Sequence, residues 1–226
     1  MSTEALGAAS GFAPAPRDAA ARLGSGPTQT AARRPGAITL ARHGEPDISR
    51  KVRLHAAEYA AWWGRYELTG LLPGQNAPAG LCAAARSAGL ILCSTRLRSI
   101  ESARAIAGER EVEIDMRFIE APLPPPHWPR WFKLSPRHWG VVSRTWWWFF
   151  NHHDGQERRK AAQLRADEAA DYLIAQAAGG DVLLIAHGFF NFMIGRSLKR
   201  RGWSLVENQG HHYWSSRRFV APASDG

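Results

Sequence analysis

Apolar runs at residues 37–42, 90–93 and 182–186 are set off by polar or glycine-rich punctuation. Runs this short and continuous read as strands buried on both faces of a parallel sheet. Residues 112–115 add a further strand. Between these runs the apolar positions follow a helical rhythm. Helices are expected near 54–64 and 78–88, separated by Gly70 and Pro73-Gly74. Leu97, Ile100, Ala103 and Ala107 fall at helical spacing, and Gly108 follows as a stop. Asp154 with Glu157 resembles a capping pair that opens a helix closed by Gly179-Gly180. Another helix is expected over 189–200, and an edge strand near 213–220. Strands alternating with helices predict an α/β fold, a three-layer α/β/α sandwich around a mostly parallel central sheet.

Two of the strands end alike. The first runs into Arg42-His43-Gly44 and the fourth into His187-Gly188. Ligands of open α/β sheets bind outside the carboxyl ends of the strands. Adjacent placement of these two strands would bring His43 and His187 into one crevice. Either His-Gly alone is weak. A histidine at a strand end is more often a hydrogen-bonded structural residue than a catalyst.

A third block changes that balance. Ser94-Thr95-Arg96-Leu97-Arg98 leads from the second strand into a helix that continues through Ser102-Ala103. With Arg42-His43-Gly44 and His187-Gly188 it resembles, in order, the three blocks of the histidine phosphatase superfamily, the phosphoglycerate-mutase-like proteins. The resemblance implies a metal-independent phosphatase that hydrolyses a phosphomonoester through a phosphohistidine on His43, with no cofactor. It implies that Arg42, Arg98, Gly44 and His187 bind the phosphoryl group, Arg98 rather than Arg96 by its spacing from Ser94. It also implies a carboxylic general acid shortly after the third strand, and Glu120 in Arg117-Phe118-Ile119-Glu120 is the candidate. The chemistry suits these residue types. A neutral imidazole is abundant at pH 7 and can act as a nucleophile, and guanidinium groups offer paired donors to phosphoryl oxygens. A phosphomutase of the same family stays open as an alternative.

Residues 121–155 form a cap-like insertion rich in tryptophan. Trp128, Trp131, Trp139, Trp146, Trp147 and Trp148 are joined by Phe132, Phe149 and Phe150, and Arg130, Lys133, Arg137 and Arg144 make the segment basic. Such a cap suits a substrate with an anionic head and an apolar body, with Trp146, Trp147 and Trp148 as the contact residues. Ordinary core packing is an equal reading. Contact with a membrane surface is a third, since Trp, Arg and Lys favour the interface.

The formal net charge of +9 permits a nucleic-acid binder, but no recognised nucleic-acid motif supports one and none is expected as partner. A field that attracts a small phosphorylated substrate accounts for the charge equally well. A catalytically silent binding protein is disfavoured by the presence of both histidines and both arginines. Cys82 and Cys93 are the only cysteines; with no CxxC spacing they predict neither a metal site nor a disulfide framework, and they suit a reducing cytoplasm. His152-His153 and His211-His212 lack helical ligand spacing and read as loop residues. Residues 1–36, rich in Ala, Gly, Ser, Pro and Thr, are expected to be a disordered tail, and 37–226 a single α/β domain.

Overall fold

The computed structural model describes residues 34–223, so the expected disordered tail lies almost entirely outside the described residues. Six strands, β1 (Ile38–Arg42), β2 (Leu90–Cys93), β3 (Glu113–Ile114), β4 (Val182–Ala186), β5 (Ser204–Asn208) and β6 (Ser216–Val220), form one sheet in the order β3-β2-β4-β1-β6-β5. The β1–β4, β2–β4 and β2–β3 pairs are parallel, and β6 runs antiparallel to both β1 and β5. The helices are α1 (Ala56–Leu68), α2 (Ala79–Ser87), α3 (Leu97–Ala107), α4 (Pro136–Phe150), α5 (Arg159–Ala177) and α6 (Gly188–Arg200).

The central strands are buried on both faces, and their side chains alternate between two cores. Ile38, Leu40, Leu92, Val182, Leu184 and Ala186 join the core formed with α5 and α6. Ala41, Ile91, Cys93, Leu183 and Ile185 join the core formed with α2 and α3. A strand that must satisfy both has no polar position to spare, hence the continuous apolar runs. A third cluster packs α1 against α4 through Tyr59, Trp62, Tyr66 and Trp139.

The structure differs from the sequence expectations in four places. The strand expected over 112–115 is only two residues long, because Asp115 turns out of the sheet and its carboxylate accepts the backbone N–H of Arg117 at 2.8 Å. The strand near 213–220 is not at the edge. β6 lies between β1 and β5, and β5 has mostly exposed side chains that gave no apolar signal. The helix expected from Asp154 begins at Arg159, since Asp154 and Gly155 hold positive φ of 46° and 74°. Glu157 pairs instead with Arg165 through contacts of 2.9 and 2.7 Å. Finally, α4 carries four of the six tryptophans of the tryptophan-rich segment. Ser135 and Pro136 start it, and left-handed Asn151 ends it. None of the described helices is long and apolar enough to cross a membrane.

Candidate active site

β1 and β4 are paired in register, with Arg42 opposite Ala186. The next residue on each strand is a histidine, so His43 and His187 leave the sheet side by side, with ring centroids 5.2 Å apart. Both are buried. Nδ1 of His43 lies 2.7 Å from the carbonyl oxygen of Gly44. A carbonyl only accepts, so Nδ1 carries the proton and Nε2 is unprotonated.

α3 supplies the cation. Arg98, in its first turn, is fully buried and directs Nε to His43 Nε2 at 3.3 Å and Nη2 to His187 Nδ1 at 3.4 Å. Guanidinium cannot accept, so Nδ1 of His187 is unprotonated and its Nε2–H donates to Ser94 Oγ at 2.8 Å. Glu67, at the end of α1, neutralises the group by bridging Arg98 at 2.9 Å and Arg96 at 2.6 Å. Arg96 is one third exposed and does not reach either histidine. Desolvation first, then the positive fields of Arg98 and neighbours, hold both histidines well below the ordinary imidazole value. Both are therefore neutral at physiological pH.

Glu120 follows the 3-10 turn Met116–Phe118, in a segment fixed by Arg165, which donates to the carbonyls of Arg117 and Ile119 at 2.8 and 2.9 Å. Its carboxyl oxygen accepts the backbone N–H of Phe190 at 2.9 Å, in the first turn of α6. The helix that follows His187 thus also holds Glu120. Burial pushes the Glu120 carboxyl above the ordinary range, against the opposing fields of Arg144 and Arg42 and the Phe190 hydrogen bond.

Beside this cluster lies a cavity of about 740 Å³. Its basic lining is Arg42, Arg50, Arg137 and Arg144, and Glu120 is its only carboxyl group. Tyr59, Trp62, Trp63 and Tyr66 of α1 and Phe189 and Phe192 of α6 give it an aromatic wall. Tyr213 also lines it, its ring 5.7 Å from His43 and 4.3 Å from the Arg42 guanidinium carbon, and its hydroxyl accepts from Arg50 at 2.8 Å.

Two groups of sequence-predicted residues are placed differently from expectation. Gly44 gives its N–H to Ser102 Oγ at 2.9 Å, and a Cβ there would lie 2.5 Å from the Trp214 ring, so this glycine permits close packing. Trp146, Trp147 and Trp148 do not line the cavity. Trp139, Ser143 and Trp147, four residues apart, form the buried stripe of α4, and Trp147 donates to the Glu157 carbonyl at 3.0 Å. Trp146 meets Trp128 edge to face and Phe150 at a tilt, and Trp148 packs on Phe189. The turn of α4 facing the cavity carries Arg137, Gly140, Val141 and Arg144. Glu67, Arg50 and Tyr213 were missed, since none belongs to a local motif. Among the described residues no cluster of three or more His, Cys, Asp or Glu side chains could hold a metal ion.

The model of the histidine phosphatase superfamily (branch 1) matches residues 38–220. The chain belongs to that superfamily. No curated protein matches its sequence. Among solved structures, a mycobacterial hydrolase 1 is 21% identical with a TM-score of 0.52, over 84% of this chain and 92% of the other. A phosphoserine phosphatase from Entamoeba histolytica, solved with 3-phosphoglyceric acid, is 15% identical with a TM-score of 0.50, over 82% of this chain and 90% of that one. A mutant of the Entamoeba enzyme with phosphoserine is 13% identical at the same TM-score. These likenesses are of fold. In this superfamily member, the three sequence blocks meet at one end of the sheet.

Proposed function

We propose that this chain is a phosphomonoesterase in which His43 is the nucleophile. The observation that carries the reading is the orientation of His43: Nδ1 is committed to the Gly44 carbonyl, and the unprotonated Nε2 faces the buried Arg98 beside His187. In the first step Nε2 attacks phosphorus and the ester P–O bond breaks. The leaving oxygen takes the proton of the Glu120 carboxyl, which burial keeps available. In the second step water attacks the phosphohistidine, Glu120 accepts a proton from that water, and the P–N bond breaks to release inorganic phosphate. Arg42 and Arg98 stabilise the phosphoryl oxygens, Arg98 by turning toward them the Nε–H and Nη2–H that otherwise face the two histidines. Burial and the positive fields of Arg98 and its neighbours depress His187; the phosphoryl dianion offsets those fields, so that Nδ1 takes a proton from solvent and donates it to a phosphoryl oxygen.

The aromatic wall from α1 and α6 supports a substrate with an apolar or aromatic body. Cys93, buried with its thiol pushed up to about 12 by desolvation, is unreactive and fits a cytoplasmic setting.

Rapid-quench labelling tests the reading. A labelled aryl phosphate should place acid-labile, base-stable phosphate on His43, and His43→Ala should abolish both label and turnover without loss of helical signal. Turnover should withstand EDTA and be inhibited by vanadate. Retained turnover in His43→Ala refutes the mechanism. Transfer of the label to a second bound organic acceptor instead of water identifies a mutase.

A further inference from the structure

The charges around the cavity exceed what one phosphoryl group requires. Arg98 is balanced by Glu67 and belongs to the histidine cluster. Arg42 lies against Tyr213 beside His43 and donates to the His211 carbonyl at 2.6 Å. Both are spoken for by the phosphoryl group under the reading above. Arg50 and Arg144 remain. Each lines the cavity, each is partly buried, and neither forms an ion pair among the described residues. Each has a buried Nε with no hydrogen-bond partner.

A third unpartnered group points the same way. The Tyr59 hydroxyl is buried and lines the same cavity; its polar neighbour is the equally buried Ser143 hydroxyl, and neither finds a further hydrogen-bond partner. Burial raises the Tyr59 pKa, and the positive fields of Arg144 and Arg50 oppose the rise. Buried donors are ordinarily satisfied, and those that are not call for a ligand or water. Here two guanidinium groups and one hydroxyl share a cavity whose only carboxyl is held toward its neutral form. Arg144 lies over the Phe189 ring at 5.2 Å, so an aromatic wall adjoins the cations.

We infer that Arg50, Arg144 and Tyr59 form a second oxyanion subsite, and that the substrate is an aryl or apolar phosphomonoester carrying another anionic group, a carboxylate or a phosphate. The inference rests on the phosphatase reading for the position of the first anion. The body joining the two anions would pack against Trp62, Trp63 and Phe189, and the remote anion would satisfy the open donors.

The test compares phenyl phosphate with para-carboxyphenyl phosphate and the para-bisphosphate. In the wild-type protein the second anion should raise kcat/KM by about tenfold or more, the scale of a hydrogen bond to a charged group. The ratio of carboxylated to plain substrate should fall toward unity in Arg144→Gln and in Arg50→Gln. Comparing carboxylate with bisphosphate tells which oxyanion the subsite takes. A wild-type ratio near unity, or a ratio unchanged in both variants, overturns the inference.

Binding separates this inference from the phosphatase reading. Benzylphosphonate and para-carboxybenzylphosphonate cannot be hydrolysed, and Trp62 and Trp63 in the cavity wall report their binding by fluorescence. If no phosphoester is turned over, the phosphatase reading fails. The subsite then stands if the carboxylated phosphonate binds about tenfold tighter than the plain one and Arg144→Gln removes the difference. Equal binding of the two phosphonates by the wild type overturns it.

Discussion

Arg98 Nε lies 3.3 Å from His43 Nε2, on the one imidazole nitrogen of His43 that is free of a proton. The other donors of this guanidinium are also committed, to the Tyr66 carbonyl at 2.8 Å, to Glu67 at 2.9 Å and to His187 at 3.4 Å. Arg98 therefore fixes both histidines and the end of α1 at once. This use of the whole planar fork is beyond a lysine ammonium.

Arg98→Ala should lower kcat/KM for an aryl phosphate by about two to three orders of magnitude, as for other lost charge-stabilising donors. Arg98→Lys should recover little of it. Arg96→Ala should cost much less, because Arg96 touches only the far oxygen of Glu67. A larger loss in Arg96→Ala than in Arg98→Ala would place the phosphoryl clamp two residues earlier, at the cap of α3.

The two depressed histidines make stability depend on pH with a definite sign. The unfolded chain protonates them near 6.5, whereas the folded protein resists protonation until well below that value. Their contribution is complete above 6.5 and is lost as pH falls from there toward the folded values. Thermal melts should show Tm falling through this window, with a smaller fall in His187→Asn. The acid limb of kcat/KM should likewise lie below 6.5. A limb above that value would contradict a neutral His43 in the free protein.

Glu120 has the opposite sign. Its folded carboxyl is raised, so its contribution is complete below the ordinary carboxylate value and lost as pH rises through the folded one. Glu120→Gln should thus melt higher than wild type at neutral pH while losing most turnover of substrates with poor leaving groups. The Tm difference should shrink as the pH falls through the raised value of the folded carboxyl and disappear below the ordinary carboxylate value, where Glu120 is neutral in the folded and unfolded chain alike. Equal melting temperatures across the range would show that the carboxyl is not strained by burial.

The sheet and the histidine pair were legible because parallel pairing buries both faces of a strand. Val182, Leu183, Leu184 and Ile185 leave no choice of partner environment, and the histidines follow from the register of β1 and β4. The strand β5 and the helix α4 were not legible in the same way. Leu205 and Val206 sit on an exposed edge, and the tryptophans of α4 supply aromatic residues on several faces of the helix. A run of three tryptophans cannot all face one cavity, because successive helical residues are 100° apart. Arg50 and Tyr213 of the cavity and Glu67 of the Arg98 ion pair come from three separate segments, so only tertiary structure brings them together.

Gly44→Ala should act through the segment that covers His43. Its Cβ would sit 2.5 Å from the Trp214 ring, which is held at positive φ and donates to Gln75 at 2.9 Å. Trp214 must move, and Tyr213 beside it moves away from Arg42 and Arg50. Overpacking of this kind costs about 1–3 kcal/mol. The variant should melt lower and lose kcat/KM, with a larger loss than Tyr213→Phe. An unchanged Tm would mean that Trp214 has room to yield.

The aromatic residues of α1 and α4 separate a cavity wall from a core, and two alanine substitutions distinguish them. Trp147 is fully buried, donates to the Glu157 carbonyl and packs against Phe189. Trp147→Ala should lower stability by about 3–5 kcal/mol, the range for large core aromatics. Any change in kinetics should then follow the folded fraction. Trp63 is only partly buried, stacks on Tyr66 at 5.0 Å and lines the cavity. Trp63→Ala should stay folded and raise KM for an aryl phosphate more than for a small alkyl phosphate, because only the larger body reaches the wall. If Trp63→Ala raises both equally, the aromatic wall packs the protein rather than the substrate, and an apolar substrate body loses its support.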